Sequence, residues 1–97
     1  MRIFSKSTLR TFWEQYPETE SVLKVWHDTV KHADWESPFD VKETYATASI
    51  TGGRRIVFNI KGNQFRLIVE VNYEYSSVFV LFIGTHKEYD KIIIDDL

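Results

Sequence analysis

Cysteine is absent from the chain, which rules out a disulfide framework and any thiolate-held metal. A reducing compartment is compatible with that absence without being required by it. Proline occurs twice and glycine four times, so no Pro/Gly-rich linker marks a domain boundary, and residues 1–97 are expected to form one domain. No apolar run approaches the roughly 18 residues of a membrane-spanning helix. The opening stretch "MRIFSKSTLRTFWEQYP" lacks the unbroken apolar segment of a secretory signal. A soluble, cytoplasmic protein with no membrane contact is the expectation. Acid is missing from one interval in particular. Thr44 to Val69 holds Arg54, Arg55, Lys61 and Arg66 with no Asp or Glu, inside a chain of net charge −2. That sum excludes indiscriminate polyanion binding, while the local +4 suits an anionic ligand held at one place.

What is present is aromatic. Seven Phe, five Tyr and three Trp make 15% of the residues, most of them at helical intervals that indicate core. A chain of this length buries roughly 60–65% of its unfolded surface, enough for one core. "MRIF" reads as a short strand. Leu9, Phe12, Trp13 and Tyr16 recur at i, i+3, i+4 and i+7, which predicts a helix capped by Ser7 and running to about Gln15. Pro17 suits the first turn of a second helix, with Glu18 and Glu20 at its positive end. Leu23, Trp26, Val30 and Ala33 mark its buried stripe, and the pattern fades near Trp35. Ser37-Pro38 and Gly52-Gly53 carry turn chemistry around a loop with a short helical turn.

Three strands are expected next. "RRIVFNI" and "QFRLIVEVNYE" flank a hairpin turn at Lys61-Gly62-Asn63, where Asn63 is the residue that tolerates a left-handed backbone. "SVFVLFIGT" follows a turn at Tyr75-Ser76. The middle strand sends Phe65, Leu67, Val69, Val71 and Tyr73 one way and Arg66, Ile68, Glu70 and Asn72 the other. The last is apolar on both faces, as a covered central strand would be. Two helices before an antiparallel meander make an α+β domain, with "KIIIDDL" adding a final strand or helical turn.

The apolar run ends abruptly in "GTHKEYDK", Gly84 to Lys91. This is either a solvated chain exit or a place where protons change hands. With "VFNIKGNQFRLIV" (Val57–Val69), "ADWESPFDVKETY" (Ala33–Tyr45) and an arginine just before the first hairpin strand, it resembles the HigB toxins within the RelE-like toxins of bacterial type II toxin–antitoxin systems. The resemblance covers nearly the whole chain. It implies a RelE-like fold, an mRNA endonuclease acting on or near the ribosome, and neutralisation by a cognate HigA-like helix-turn-helix antitoxin, through which alone operator DNA would be reached. The acidity of the chain departs from the basic character usual in that family.

Cleaving RNA without a metal requires a base for the 2′-OH, cations on the scissile phosphate, an acid for the leaving 5′-oxygen, and alignment of the nucleotides. His86 has the chemistry for base or acid; without its motif it would read as a strand-end histidine in water. Tyr89 is a candidate for stacking on a base or orienting the phosphate, and Asp90 for fixing the His86 tautomer. Their plainer readings are a core aromatic and a solvated ion pair with Lys87 or Lys91. Arg66 is the first-choice cation because a guanidinium fork matches phosphate geometry, followed by Lys61 at the turn. Lys87 and Lys91 flank His86 and are candidates to reach a phosphate as well. Arg54 and Arg55 are expected to meet RNA or ribosome backbone away from the scissile group, Asn59 to bond a base, and Asn63, though it matches the family string, to serve the turn. The whole reading requires His86 and Arg66 to converge on one solvent-reachable hollow.

No cofactor is called for. His27 and His32 are five apart and do not share a helix face, so no metal site is read there. Two rivals stand beside the nuclease: a ParE-like gyrase inhibitor on the same scaffold, and an interaction domain for which "THKEYDK" is only an exit.

Overall fold

Leu9 and Phe12 on one helix, and Leu23, Trp26 and Val30 on the next, recur at helical spacing and are buried together with one face of a β-sheet. The computed structural model that shows this describes residues 1–52 and 54–97. Gly53, half of the expected glycine turn, lies outside the described residues. In chain order the elements are β1 (Arg2–Phe4), α1 (Lys6–Gln15), a 3₁₀ turn (Pro17–Thr19), α2 (Glu20–Lys31), α3 (Pro38–Thr44), β2 (Ser49–Ile50), β3 (Arg55–Ile60), β4 (Phe65–Asn72), β5 (Ser77–Thr85), α4 (His86–Asp90) and a 3₁₀ turn (Ile94–Asp96). The sheet order is β1-β5-β4-β3-β2, with β1 parallel to β5 and the other pairs antiparallel. The expected α+β architecture is present, with the predicted meander as its centre and short strands at both edges.

Local details differ from the sequence expectations. Ser7 lies inside the first turn of α1; the cap position belongs to Ser5, held left-handed at φ 70° without a side-chain bond. Helix α2 stops at Lys31, before Trp35. Trp35 leaves the helix because its ring has a better place, stacked 6.3 Å from Phe58 with its Nε1 donating to Thr44 Oγ1 at 3.1 Å. Phe58 also receives Trp26 and Tyr45 edge-on at 5.5 and 5.2 Å. Edge-to-face pairs of this kind add to the apolar area they bury. The hairpin's left-handed residues are Lys61 (φ 51°) and Gly62 (φ 67°), not Asn63.

One irregularity decides where side chains point. Ile68 pairs with Phe82 but Val69 with Val80, so Leu81 is an extra residue in β5. A bulge shifts the alternation of its strand. Val78 and Val80 face the helices before it, Ile83 faces them after it, and Phe82 and Gly84 are left on the opposite face. That second face also carries Arg55, Val57 and Asn59 from β3 and Arg66, Ile68 and Glu70 from β4.

The second face is covered. Ile68 and Val57 are only 0% and 3% exposed although no core helix reaches them. The chain beyond α4 returns from the end of β5 to the start of β3, where Arg55 Nη2 donates to the Leu97 carbonyl oxygen and Nη1 lies 3.5 Å from Glu70 Oε1. Ile92, Ile94 and Leu97 are partly buried on the way. Among the described residues no helix is long and apolar enough to cross a membrane.

Two outcomes follow from this packing. Phe58→Ala removes the ring on which Trp26, Trp35 and Tyr45 converge and is expected to lower stability by about 3–5 kcal/mol, read as a fall in the urea midpoint at unchanged slope. His27, half-buried between α1 and α2, has its pKa pushed below the ordinary 6.5 by burial first and by the charges of Lys6 and Lys31 second. The unfolded chain therefore takes up that proton at a higher pH than the folded one, and stability should fall as pH drops below 6.5. His27→Gln should flatten this part of a pH series of melting temperatures.

Candidate active site

The segment "THKE" folds locally for a reason visible in its spacing. Thr85 is extended, its Oγ1 accepts the Glu88 backbone N–H at 3.2 Å, and its own N–H donates to Glu88 Oε1 at 2.8 Å. This reciprocal capping box starts α4, and the helical turn then brings His86 and Asp90 onto one face. His86 Nδ1 lies 3.0 Å from Asp90 Oδ2, with both side chains about half exposed at 48% and 57%. An ionised carboxylate only accepts, so Nδ1 carries the proton in this pair and Nε2 is left to exchange one with a substrate.

Two backbone ties join this turn to the sheet. The His86 N–H donates to the Gln64 carbonyl at 3.2 Å, placing α4 beside the Lys61–Gln64 turn. Arg66 Nη1 donates to the carbonyls of Asn63 at 3.1 Å and Phe65 at 3.4 Å, bracing the same turn from behind. Arg66 stands between Asn59 and Gly84 in the register. Its guanidinium carbon lies 5.6 Å from the Tyr89 ring centroid, a cation–π distance. The His86 ring meets Tyr89 edge-on at 6.4 Å. Tyr89 is thus the element common to Arg66 and His86.

Arg66 and His86 thus both meet the Tyr89 ring, but Arg66 does not open beside His86 onto one solvent-reachable hollow as the sequence reading required. Arg66 is only 9% exposed and lies beneath the surface at which His86 is presented, because the face opposite the helices is roofed by α4 and the chain that follows. Lys61, Asn63, Lys87 and Lys91 are exposed at this end of the domain. Lys61 holds a left-handed backbone, φ 51°, uncommon for a residue with a side chain. Asn59 is exposed on β3 next to an apolar cavity of about 300 Å³ lined by Val22, Val25, Trp26 and Tyr45. Arg54 and Arg55 are not brought in. They stand at the other end of β3, roughly 20 Å of extended strand away, and Arg55 is engaged with Glu70 and Leu97. Among the described residues no group of three His, Asp or Glu side chains is placed to hold a metal.

Gly84 and the Thr85/Glu88 pair were missed as contributors. A Cβ on Gly84 would stand 2.5 Å from Phe82 Cζ and 3.0 Å from Glu88 Oε1, so any side chain there displaces the ring and the capping carboxylate together. The T-x-x-E spacing is a legible capping signal; the demand on Gly84 depends on a neighbour's rotamer and is not.

Residues 19–92 match the family described as HigB_toxin, RelE-like toxic component of a toxin-antitoxin system. The chain is similar to "mRNA interferase toxin HigB" of Escherichia coli (strain K12), 25% identical over 92 residues that cover 93% of this chain and 88% of that protein. It is also similar to "mRNA interferase HigB" of Escherichia coli O6:H1 (strain CFT073), 27% identical over 94 residues covering 95% and 91%.

Gly84→Ala is expected to destabilise the domain by about 1–3 kcal/mol through overpacking. It should also loosen α4, seen as faster amide exchange at Glu88 and Tyr89. Glu88→Ala should produce the same local loosening at a cost of about 0.5–2 kcal/mol, without the clash.

Proposed function

Because the chain belongs to the HigB family of RelE-like toxins, the toxic components of toxin–antitoxin systems, we propose that it is an endoribonuclease that cuts mRNA with the His86 cluster as its active site. The observation that carries this reading is the His86–Asp90 pair, 3.0 Å apart and open to solvent. What distinguishes it from the exposed Asp28–His32 pair at the end of α2, 3.5 Å apart, is that His86 also meets Tyr89, and Tyr89 the buried Arg66.

The step is a transesterification. His86 Nε2 takes the 2′-OH proton, the 2′-oxygen attacks the adjacent phosphorus, and the bond to the 5′-oxygen breaks to leave a 2′,3′-cyclic phosphate. The leaving 5′-oxygen takes a proton from water, and the hydroxide so formed takes back the proton held by His86, which returns the imidazole to its neutral form. Asp90 holds the imidazole in the required tautomer and stabilises its charge once protonated. Tyr89, partly exposed, offers a ring edge to the flanking nucleotide and keeps His86 in position. Lys61 and Lys87 are the surface cations an RNA phosphate meets. Arg66, being buried, acts through its field and by holding Tyr89. The natural setting proposed is a translating ribosome, with a HigA-like antitoxin as the neutralising partner. Four phosphate contacts on single-stranded RNA would give a salt slope of about −2.8, or roughly fifty-fold between 50 and 200 mM. Such modest affinity favours a substrate already positioned by a larger assembly.

The test is induction of the gene alone with mapping of RNA 5′ ends. Growth arrest with new mRNA ends is expected, and His86→Ala should reduce cleavage by about 10²–10⁴-fold with an unchanged melting temperature. Asp90→Asn should retain part of the activity. Arrest with intact messages would point to a gyrase-type poison, and full cleavage by His86→Ala would remove His86 from the mechanism.

A further inference from the structure

A second cluster of cations lies in the helical layer, on the sheet face opposite His86. Lys6, Ser7, Arg10 and Trp13 from α1 and Lys24, His27 and Asp28 from α2 line a cavity of about 520 Å³. Apart from Trp13, which also packs against the core, these residues are the outward-facing complement of the stripe Leu9, Phe12, Leu23, Trp26 and Val30. The cavity is therefore a groove between the two helices, remote from β4 and α4.

Its charge is unbalanced. Lys24 is neutralised by Glu20 at 2.5 Å and its ammonium lies 5.3 Å from the Trp13 ring centroid. Asp28 Oδ1 is 3.5 Å from His32 Nδ1. Lys6 and Arg10 line the cavity, and no ion pair is formed by either among the described residues. The pKa of His27 is lowered by burial first, and then by Lys6 and Lys31, each of which outweighs the opposing Asp28. An anion is what would relieve this potential. The space exceeds what a lone phosphate needs, and the half-buried indole of Trp13 adds an apolar wall.

We propose that the groove between α1 and α2 binds the phosphate of a nucleotide, free or within an RNA strand, at a site separate from the cleavage cluster. Lys6 and Arg10 contact the phosphate, Ser7 supplies a hydroxyl donor, and Trp13 borders the nucleoside. An acidic protein segment is the competing class. The small-molecule dimensions of the cavity and its indole wall favour the nucleotide.

The test uses full-length His86→Ala protein, so that RNA stays intact and failure of the cleavage reading leaves the result unaffected. Tryptophan emission is followed during titration with inorganic phosphate, AMP, an eight-nucleotide 2′-O-methyl RNA and polyglutamate. Trp26 and Trp35 are only 2% and 3% exposed, so a change reports Trp13. Saturable quenching is expected, weakened about tenfold or more when Lys6→Glu and Arg10→Glu are combined, as befits loss of charged hydrogen bonds. Arg10→Gln, on an exposed position, gives the same direction should the double variant not fold, and Glu43→Gln, exposed on α3 and outside both clusters, should leave binding unchanged. Quenching by AMP assigns a free nucleotide; quenching by the oligonucleotide alone assigns a strand. The proposal falls if neither ligand binds, if phosphate binds as tightly as AMP, if the charge variants bind normally, or if only polyglutamate is captured.

Discussion

Leu81, the extra residue of β5 opposite β4, governs the placement of everything at the working end of this domain. A strand alternates its side chains strictly. Without the extra residue, Phe82 and Gly84 would face the helices, and the face opposite them would receive Ile83 instead. With it, Gly84 comes to lie beside Arg66, where a small residue leaves room for Phe82 and for the Glu88 carboxylate. The same shift sets the direction in which the chain enters α4, and so the direction in which His86 is shown to solvent. Bulges near functional residues commonly serve to re-aim a side chain in this way.

The buried Arg66 is the second consequence. A guanidinium removed from water is costly unless its donors and its charge are met. Here Nη1 meets two carbonyls and the charge lies over the Tyr89 ring. This arrangement links the hairpin turn, the strand and the terminal helix into one rigid unit. It also separates two roles that one positive residue could combine. The cation that organises the cluster is inside, and Lys61, Lys87 and Lys91, to which RNA contact is proposed, are outside. The chain's negative total thus conceals a division of labour among its cations.

The two sheet faces are closed by different means. Helices α1 and α2 supply Leu9, Phe12, Leu23, Trp26 and Val30 to one. The other is closed by the short α4 and the chain after it, anchored where Arg55 meets Leu97. A five-residue helix has little stability of its own. It persists because its capping box, its bond to Gln64 and the Arg66–Tyr89 contact hold it. The helical layer is free of that task, and its outer groove carries Lys6 and Arg10, which form no ion pair among the described residues.

How much could be read in advance differs by residue. The strand alternation of Phe65 to Tyr73, the buried stripe of α2 and the T-x-x-E start of α4 depend on spacing along the chain, and spacing is local. For that reason the α+β class, the meander and the His86/Asp90 pairing on one helical face were legible. The exit of Trp35 from α2 and the burial of Arg66 were not, because each answers to a neighbour distant in sequence, the Phe58 ring and the Tyr89 ring. The left-handed backbone fell at Lys61 rather than Asn63 because the pairing of β3 with β4 fixes where the turn reverses. The amino-acid order by itself determined which side chains share an element and a face. Only the tertiary structure decided which of them remain in contact with water, since exposure depends on what the rest of the chain lays on top. Arg54 and Arg55 illustrate the difference: counted with Arg66 and Lys61 they form one basic interval, yet an extended strand holds them at the far end of the sheet.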